Sequence, residues 1–190
     1  MRPLTVLVLA VTTAAALLAQ GTTLPPSDAV RGQALFDGKG GCLGCHRVLD
    51  HGSRFGPDLT DIGARAGSSR GRIGRGGPAA ATLEPAAPVS PPAALERSLL
   101  DPAAEILPQN RTVRLVTRGG QSITARVLNQ DTFSLQLIDT KEQVLSVPKS
   151  DLREFAYIKN SPMPSYREKF TPQELADVIA YLVTLKGINP

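Results

Sequence analysis

Apolar positions follow three different rhythms along this chain of 190 residues. The first is a continuous run from Leu4 to Ala19, broken only by Thr5, Thr12 and Thr13, with Arg2 ahead of it and small residues around Ala16 to Gly21 behind it. That layout predicts a cleaved secretory signal peptide over residues 1–20. The run is also close to the lower limit for a membrane span, so the segment would act as an anchor if it stayed on the chain. The second rhythm is helical. Residues 27–36 predict a short helix, with Ser27 as cap, Asp28 at its positive end, and Val30, Ala34 and Phe36 on a rough apolar face. Residues 94–102 predict another, ended by Pro102. The strongest begins at Thr171-Pro172-Gln173-Glu174, a capping box with proline at the first helical position. Leu175, Val178, Ile179, Leu182 and Leu185 then share one face, and Gly187 marks the end. The third rhythm has a period of two. Val113 and Leu115 alternate, Gly119-Gly120 signals a hairpin, and Ile123, Ala125 and Val127 alternate again. Phe133, Leu135 and Leu137, then Val144, Leu145 and Val147, then residues 152–158 complete five short predicted strands.

These strands suggest a small curled antiparallel sheet or barrel that resembles the Sm-like or SH3-like type in pattern alone. Residues 66–93 follow none of the three rhythms. They are rich in Gly, Pro, Ala and Ser, with Arg70, Arg72 and Arg75 in the first half, and predict a flexible linker. The predicted organisation is a leader (1–20), a first helical part (27–65), the linker (66–93), a short helix and connection (94–110), a β-module (111–158), and a last loop and helix (159–188). Composition adds one constraint, because the chain holds no Trp, five Phe and three Tyr. Such a core has room for a large apolar group. A formal net charge of +4 and the lack of a basic, aromatic face argue against nucleic acid as a partner.

The chemistry is concentrated in Cys42-Leu43-Gly44-Cys45-His46. This is C-x-x-C-H, the attachment sequence for one covalently bound haem c, in which two thiols take the porphyrin's vinyl groups and the next residue's imidazole lies beneath the iron. A thioredoxin-like redox pair would require a surrounding β-α-β pattern, which is missing, and Cys42 and Cys45 are the only cysteines. The order of features resembles the class I c-type cytochromes. Gly32 and Phe36 lie on a first helix, the haem motif follows, Gly56-Pro57-Asp58-Leu59 comes next, then Met163, and Tyr181-Leu182 lies on the last helix. The resemblance implies that the Pro57 carbonyl accepts the ring N–H of His46, that His46 is the proximal iron ligand, and that Met163 is the distal one. It also implies that the last helix crosses the first near Gly32. Met163 stands between Pro162 and Pro164, which bar a helix and favour an extended loop. Met1 leaves with the leader, so Met163 is the only thioether of the mature chain. His51 follows His46 too closely to reach the opposite face of a haem and reads as a surface histidine.

A β-module between Leu-Asp-Pro-Ala-x-x-Ile (Leu100 to Ile106) and Ser-x-Met-Pro (Ser161 to Pro164) also resembles the haem-binding domain of large planctomycete and related bacterial cytochromes. The expected fold is a mainly α cytochrome c fold with an inserted small antiparallel sheet or barrel, α+β as a whole. The module is expected to brace the Met163 loop. The expected function is that of an exported, periplasmic mono-haem cytochrome carrying one electron at a time in a respiratory or dehydrogenase-linked chain. It would not be an enzyme itself, and its partners would be a periplasmic dehydrogenase, an oxidase or another cytochrome. The alternative is a haem-based sensor or partner-binding protein in which the β-module provides recognition.

Overall fold

A computed structural model describes residues 25–66 and 90–188. The expected leader, and residues 67–89 of the expected linker, lie outside the described residues. The helices are α1 (Ala29–Asp37), α2 (Ile62–Arg65), α3 (Pro91–Leu100) and α4 (Pro172–Thr184). The strands are β1 (Arg47–Val48), β2 (His51–Gly52), β3 (Thr112–Thr117), β4 (Ser122–Gln130), β5 (Ser134–Asp139), β6 (Val144–Pro148) and β7 (Leu152–Tyr157).

Helix α4 starts where its capping box places it and ends at Thr184, short of the expected stop at Gly187, with Leu185 as its C-cap. The Thr171 hydroxyl accepts from the Glu174 amide at 3.2 Å, and the Glu174 carboxylate accepts from the Thr171 amide at 2.8 Å. Helix α1 is capped one residue later than expected. Asp28, not Ser27, accepts the amides of Val30 and Arg31 at 2.8 and 2.9 Å, and an aspartate there also suits the positive helix end. The two helices cross at Gly32, beside the backbone of Asp177, and the Phe36 and Tyr181 rings meet with centroids 5.4 Å apart. Around this crossing Phe36, Leu95, Leu99, Val178, Ile179 and Leu182 form one apolar core.

Asp177 is buried within α4, on the face that meets α1, and the apolar pattern gave no sign of it. Its carboxylate accepts from Arg31 at 2.9 and 3.0 Å, from the Asp28 amide at 2.8 Å and from Gln173 at 3.0 Å. Arg31, and then the Asp28 amide and Gln173, hold the Asp177 carboxyl below its usual range. The folded protein therefore takes up this proton at lower pH than the unfolded chain does. The stabilisation is present above the unfolded value of about 3.9 and is lost as pH falls through the folded value. Asp177→Asn is expected to lose about 2 kcal/mol of stability at neutral pH. Urea unfolding followed across pH 2–7 should show wild type falling towards the variant at the acid end; parallel profiles would refute this role.

The larger sheet is antiparallel in the order β6-β5-β4-β3-β7. Its register places Leu115 opposite Ile123, Val127 opposite Leu137 and Leu135 opposite Val147. By the two-residue alternation of strands, Val113, Leu115, Ala125, Val127, Leu135, Leu137 and Val147 gather into a second core. The chain turns between strands on aspartates. Asp131 accepts the amides of Phe133 and Ser134, and Asp139 accepts those of Lys141 and Gln143. Phe133, expected on an apolar strand face, lies ahead of β5 and is exposed.

The expectation of a mainly α fold is overturned. Four helices stand beside a five-stranded antiparallel sheet and a two-stranded one, and strands cover as many of the described residues as α-helices do. Three of the helices are short, whereas the β-module is a sheet with its own apolar core, comparable in extent to the helical part. The β1–β2 hairpin adds strand at residues 47–52, where no element was expected, and two-residue strands have no legible period.

Candidate haem site

The site begins where α1 ends. After Gly38 the chain enters a single 3-10 turn, Cys42–Gly44, in which the amides of Cys45 and His46 both donate to the Cys42 carbonyl, at 3.1 and 2.8 Å. This turn buries Cys42, exposes Cys45 and leaves His46 half-buried. Cys42 and Cys45 are not joined in a disulfide. The Cys42 sulfur lies 3.7 Å from the Tyr166 hydroxyl, which itself donates to the Gly40 carbonyl at 3.0 Å. Burial raises the pKa of the Cys42 thiol, and burial raises that of the Tyr166 phenol strongly.

His46 is oriented by the segment that follows it. Its Nδ1 is 2.9 Å from the Pro57 carbonyl oxygen, and because a carbonyl only accepts, Nδ1 carries the proton. The Nε2 lone pair is thereby left for another partner. Burial lowers the pKa of His46, favouring the neutral ring that ligates metals. The Pro57 loop comes this close because Gly56 has no side chain. Its amide donates to the Cys45 carbonyl at 2.6 Å, and a Cβ at Gly56 would sit 2.6 Å from that oxygen and 3.1 Å from His46 Nδ1.

Met163 arrives from the far end of the sequence. The loop carrying it is tied to α3 by the Ser165 hydroxyl, which donates to the Leu100 carbonyl at 2.7 Å, and by the Tyr166 amide, which donates to that of Leu99 at 2.9 Å. Met163 is half-buried against the helical core, which includes Tyr166 and Phe170, whose rings stack with centroids 5.0 Å apart. A cavity of about 170 Å³ is lined by Cys42, Cys45, His46 and Met163, together with Pro164, Tyr166 and Lys169. Pro57 supports this cavity through its bond to His46. His51 is exposed on β2 and does not line it.

Among the described residues, no group of three or more His, Cys, Asp or Glu gathers as a metal-ion site. The cavity offers one imidazole and one thioether beside two thiols, a donor set suited to an iron whose remaining ligands come from a porphyrin. The residues present therefore fit a covalent haem. Sequence reasoning missed Tyr166, which is spaced one helical turn from Phe170, and Lys169, whose ammonium donates to the Gly40 carbonyl at 2.9 Å. It also missed Arg126, whose guanidinium reaches from β4 to the carbonyls just before Pro57.

No protein-family model matches the chain, and no curated protein matches it in sequence. Among the described residues, no helix is long and apolar enough to cross a membrane.

Proposed function

We propose that this chain is an exported mono-haem c-type cytochrome that carries single electrons between periplasmic redox proteins. The observation that supports this most directly is the meeting of Cys42, Cys45, His46 and Met163 on one cavity, although Met163 lies more than a hundred positions beyond the motif. Cys42 and Cys45 would anchor the porphyrin, and His46 and Met163 would ligate its iron. Bound haem supplies a one-electron Fe(III)/Fe(II) couple, and a soft thioether ligand raises its potential.

The chain's own contribution is geometric. Pro57 fixes the His46 tautomer, while the ties from the Met163 loop to α3 hold that loop in place. With both His46 and Met163 as its ligands the iron would be fully coordinated, an arrangement suited to electron transfer.

The test is an optical spectrum of the native exported protein, oxidised and reduced, with acid–acetone extraction of a separate sample. Haem that resists extraction, together with the weak far-red band of ferric iron bound to methionine sulfur, is the expected result. Absence of covalent haem would refute the reading. Covalent haem without the band would transfer support to the sensing alternative.

A further inference from the structure

Arg126 occupies the middle of β4, between Ala125 and Val127 of the sheet's core, so strand alternation sends its side chain to the opposite face. There its guanidinium leaves the β-module altogether. It donates to the carbonyls of Phe55 at 2.5 Å and Arg54 at 2.8 Å, with a longer contact to Gly56 at 3.5 Å. These are the three residues that lead into Pro57. Burial lowers the Arg126 pKa, yet a guanidinium stays charged at any working pH. A second tie runs from the same module to the same segment. Glu142 lies in the β5–β6 turn with φ of +63°, a conformation uncommon outside glycine. From that turn it forms an ion pair with Arg54 at 3.7 Å, and the Ser53 hydroxyl and Arg54 hold its carboxyl below the usual range.

We infer that Arg126 is a positioning residue of the haem site, holding the residue 54–56 carbonyls so that the Pro57 carbonyl fixes the ring plane of His46. On this view the β-module is part of the redox centre's support, acting on the histidine side, and is not an independent binding unit. Three carbonyls converging on one planar donor set fix a loop more tightly than a point charge would, so lysine should not replace Arg126 fully. The bonded loop has little freedom of its own, because the Gly56 amide donates to the Cys45 carbonyl and there is no room for even a Cβ between Gly56 and His46 Nδ1. A displacement at residues 54–56 therefore passes to Pro57 and then to the imidazole. The inference rests on the haem reading above and deepens it.

The experiment compares wild type, Arg126→Gln and Arg126→Lys as haem-loaded exported proteins. The principal readout is the pattern of paramagnetically shifted haem-methyl proton signals in the ferric state, which reports axial-ligand orientation. The expected result is a changed pattern in both variants. The midpoint potential should fall in Arg126→Gln by about tenfold in the one-electron equilibrium, 59 mV, and by less in Arg126→Lys, which keeps the charge. A wild-type methyl pattern in folded Arg126→Gln overturns the inference, whatever its potential. If that variant does not fold, Arg126→Lys decides, and an unchanged pattern there overturns it equally. Failure of the haem reading is a separate result, seen as wild-type protein without covalent haem.

Discussion

Met163→Ala is expected to keep covalent haem, lose the far-red band, and lower the midpoint potential by on the order of 0.1–0.3 V, within the range of about 0.8 V that axial ligands span. The size follows from what the thioether does. As a soft ligand to the proposed haem iron it would favour the ferrous state, and in this cavity no second methionine is available to replace it. One confounding effect has to be separated, because Met163 also packs against the helical core. Shortening a half-buried methionine to alanine would cost about 1–2 kcal/mol in lost packing, less than the 2–5 kcal/mol typical of a full core site. Met163→Leu conserves volume at a cost below about 1.5 kcal/mol, so it isolates ligation from packing. Both variants should lose the band and fall in potential together, while only the alanine variant should unfold appreciably earlier in urea. A wild-type potential in either variant would remove Met163 from the iron. A normal potential in the leucine variant alone would show that the alanine effect was one of packing.

How much of this was legible in the sequence depended on whether a local pattern carried the information. The start of helix α4 was legible because its cap and its proline are local signals, whereas its end at Thr184 came before the expected Gly187. The β-module strands were legible for the same reason, through a period of two and a Gly-Gly turn. Candidate site residues were legible as residue types in the C-x-x-C-H run and as a methionine between prolines, and the folded chain brings them to one cavity. Asp177 and Arg126 were not legible. Each is a polar residue in a regular element whose partner lies far along the chain, Arg31 for one and the residue 54–56 backbone for the other. Sequence spacing contains no signal for such pairs. Fold class was misjudged because a short motif with a strong chemical meaning suggested a helical family, whereas class depends on how many residues occupy each element. The β-module had also been expected to support the methionine side. Its Arg126 and Glu142 contacts instead reach the histidine side, while β7 runs on into the Met163 loop.

Gly32→Ala is expected to lower the melting temperature by about 6 °C, although helix propensity alone favours alanine by about 1 kcal/mol in a helix interior. The sign is decided by the crossing of α1 and α4. A Cβ at position 32 would lie 1.9 Å from the Asp177 carbonyl oxygen, 2.5 Å from its carbon and 3.0 Å from the Tyr181 Cβ. The two nearest are backbone atoms of α4, so no side-chain rotation can clear them, and the helices have to move apart. Separation would weaken the Phe36–Tyr181 contact and stretch the Arg31–Asp177 pair, both of which span the same crossing. Overpacking of this kind costs about 3 kcal/mol or somewhat more. At about 2–4 °C per kcal/mol for a chain of this size, that exceeds the propensity gain severalfold. Gln33→Ala, at an exposed position of the same helix, is the control and should be neutral or slightly stabilising. A Gly32→Ala protein that melts at or above wild type would show that the helices do not meet at Gly32. Because α1 runs directly into the Cys42 turn, the same substitution should also reduce the fraction of exported protein that carries covalent haem, a second readout independent of the melting curve.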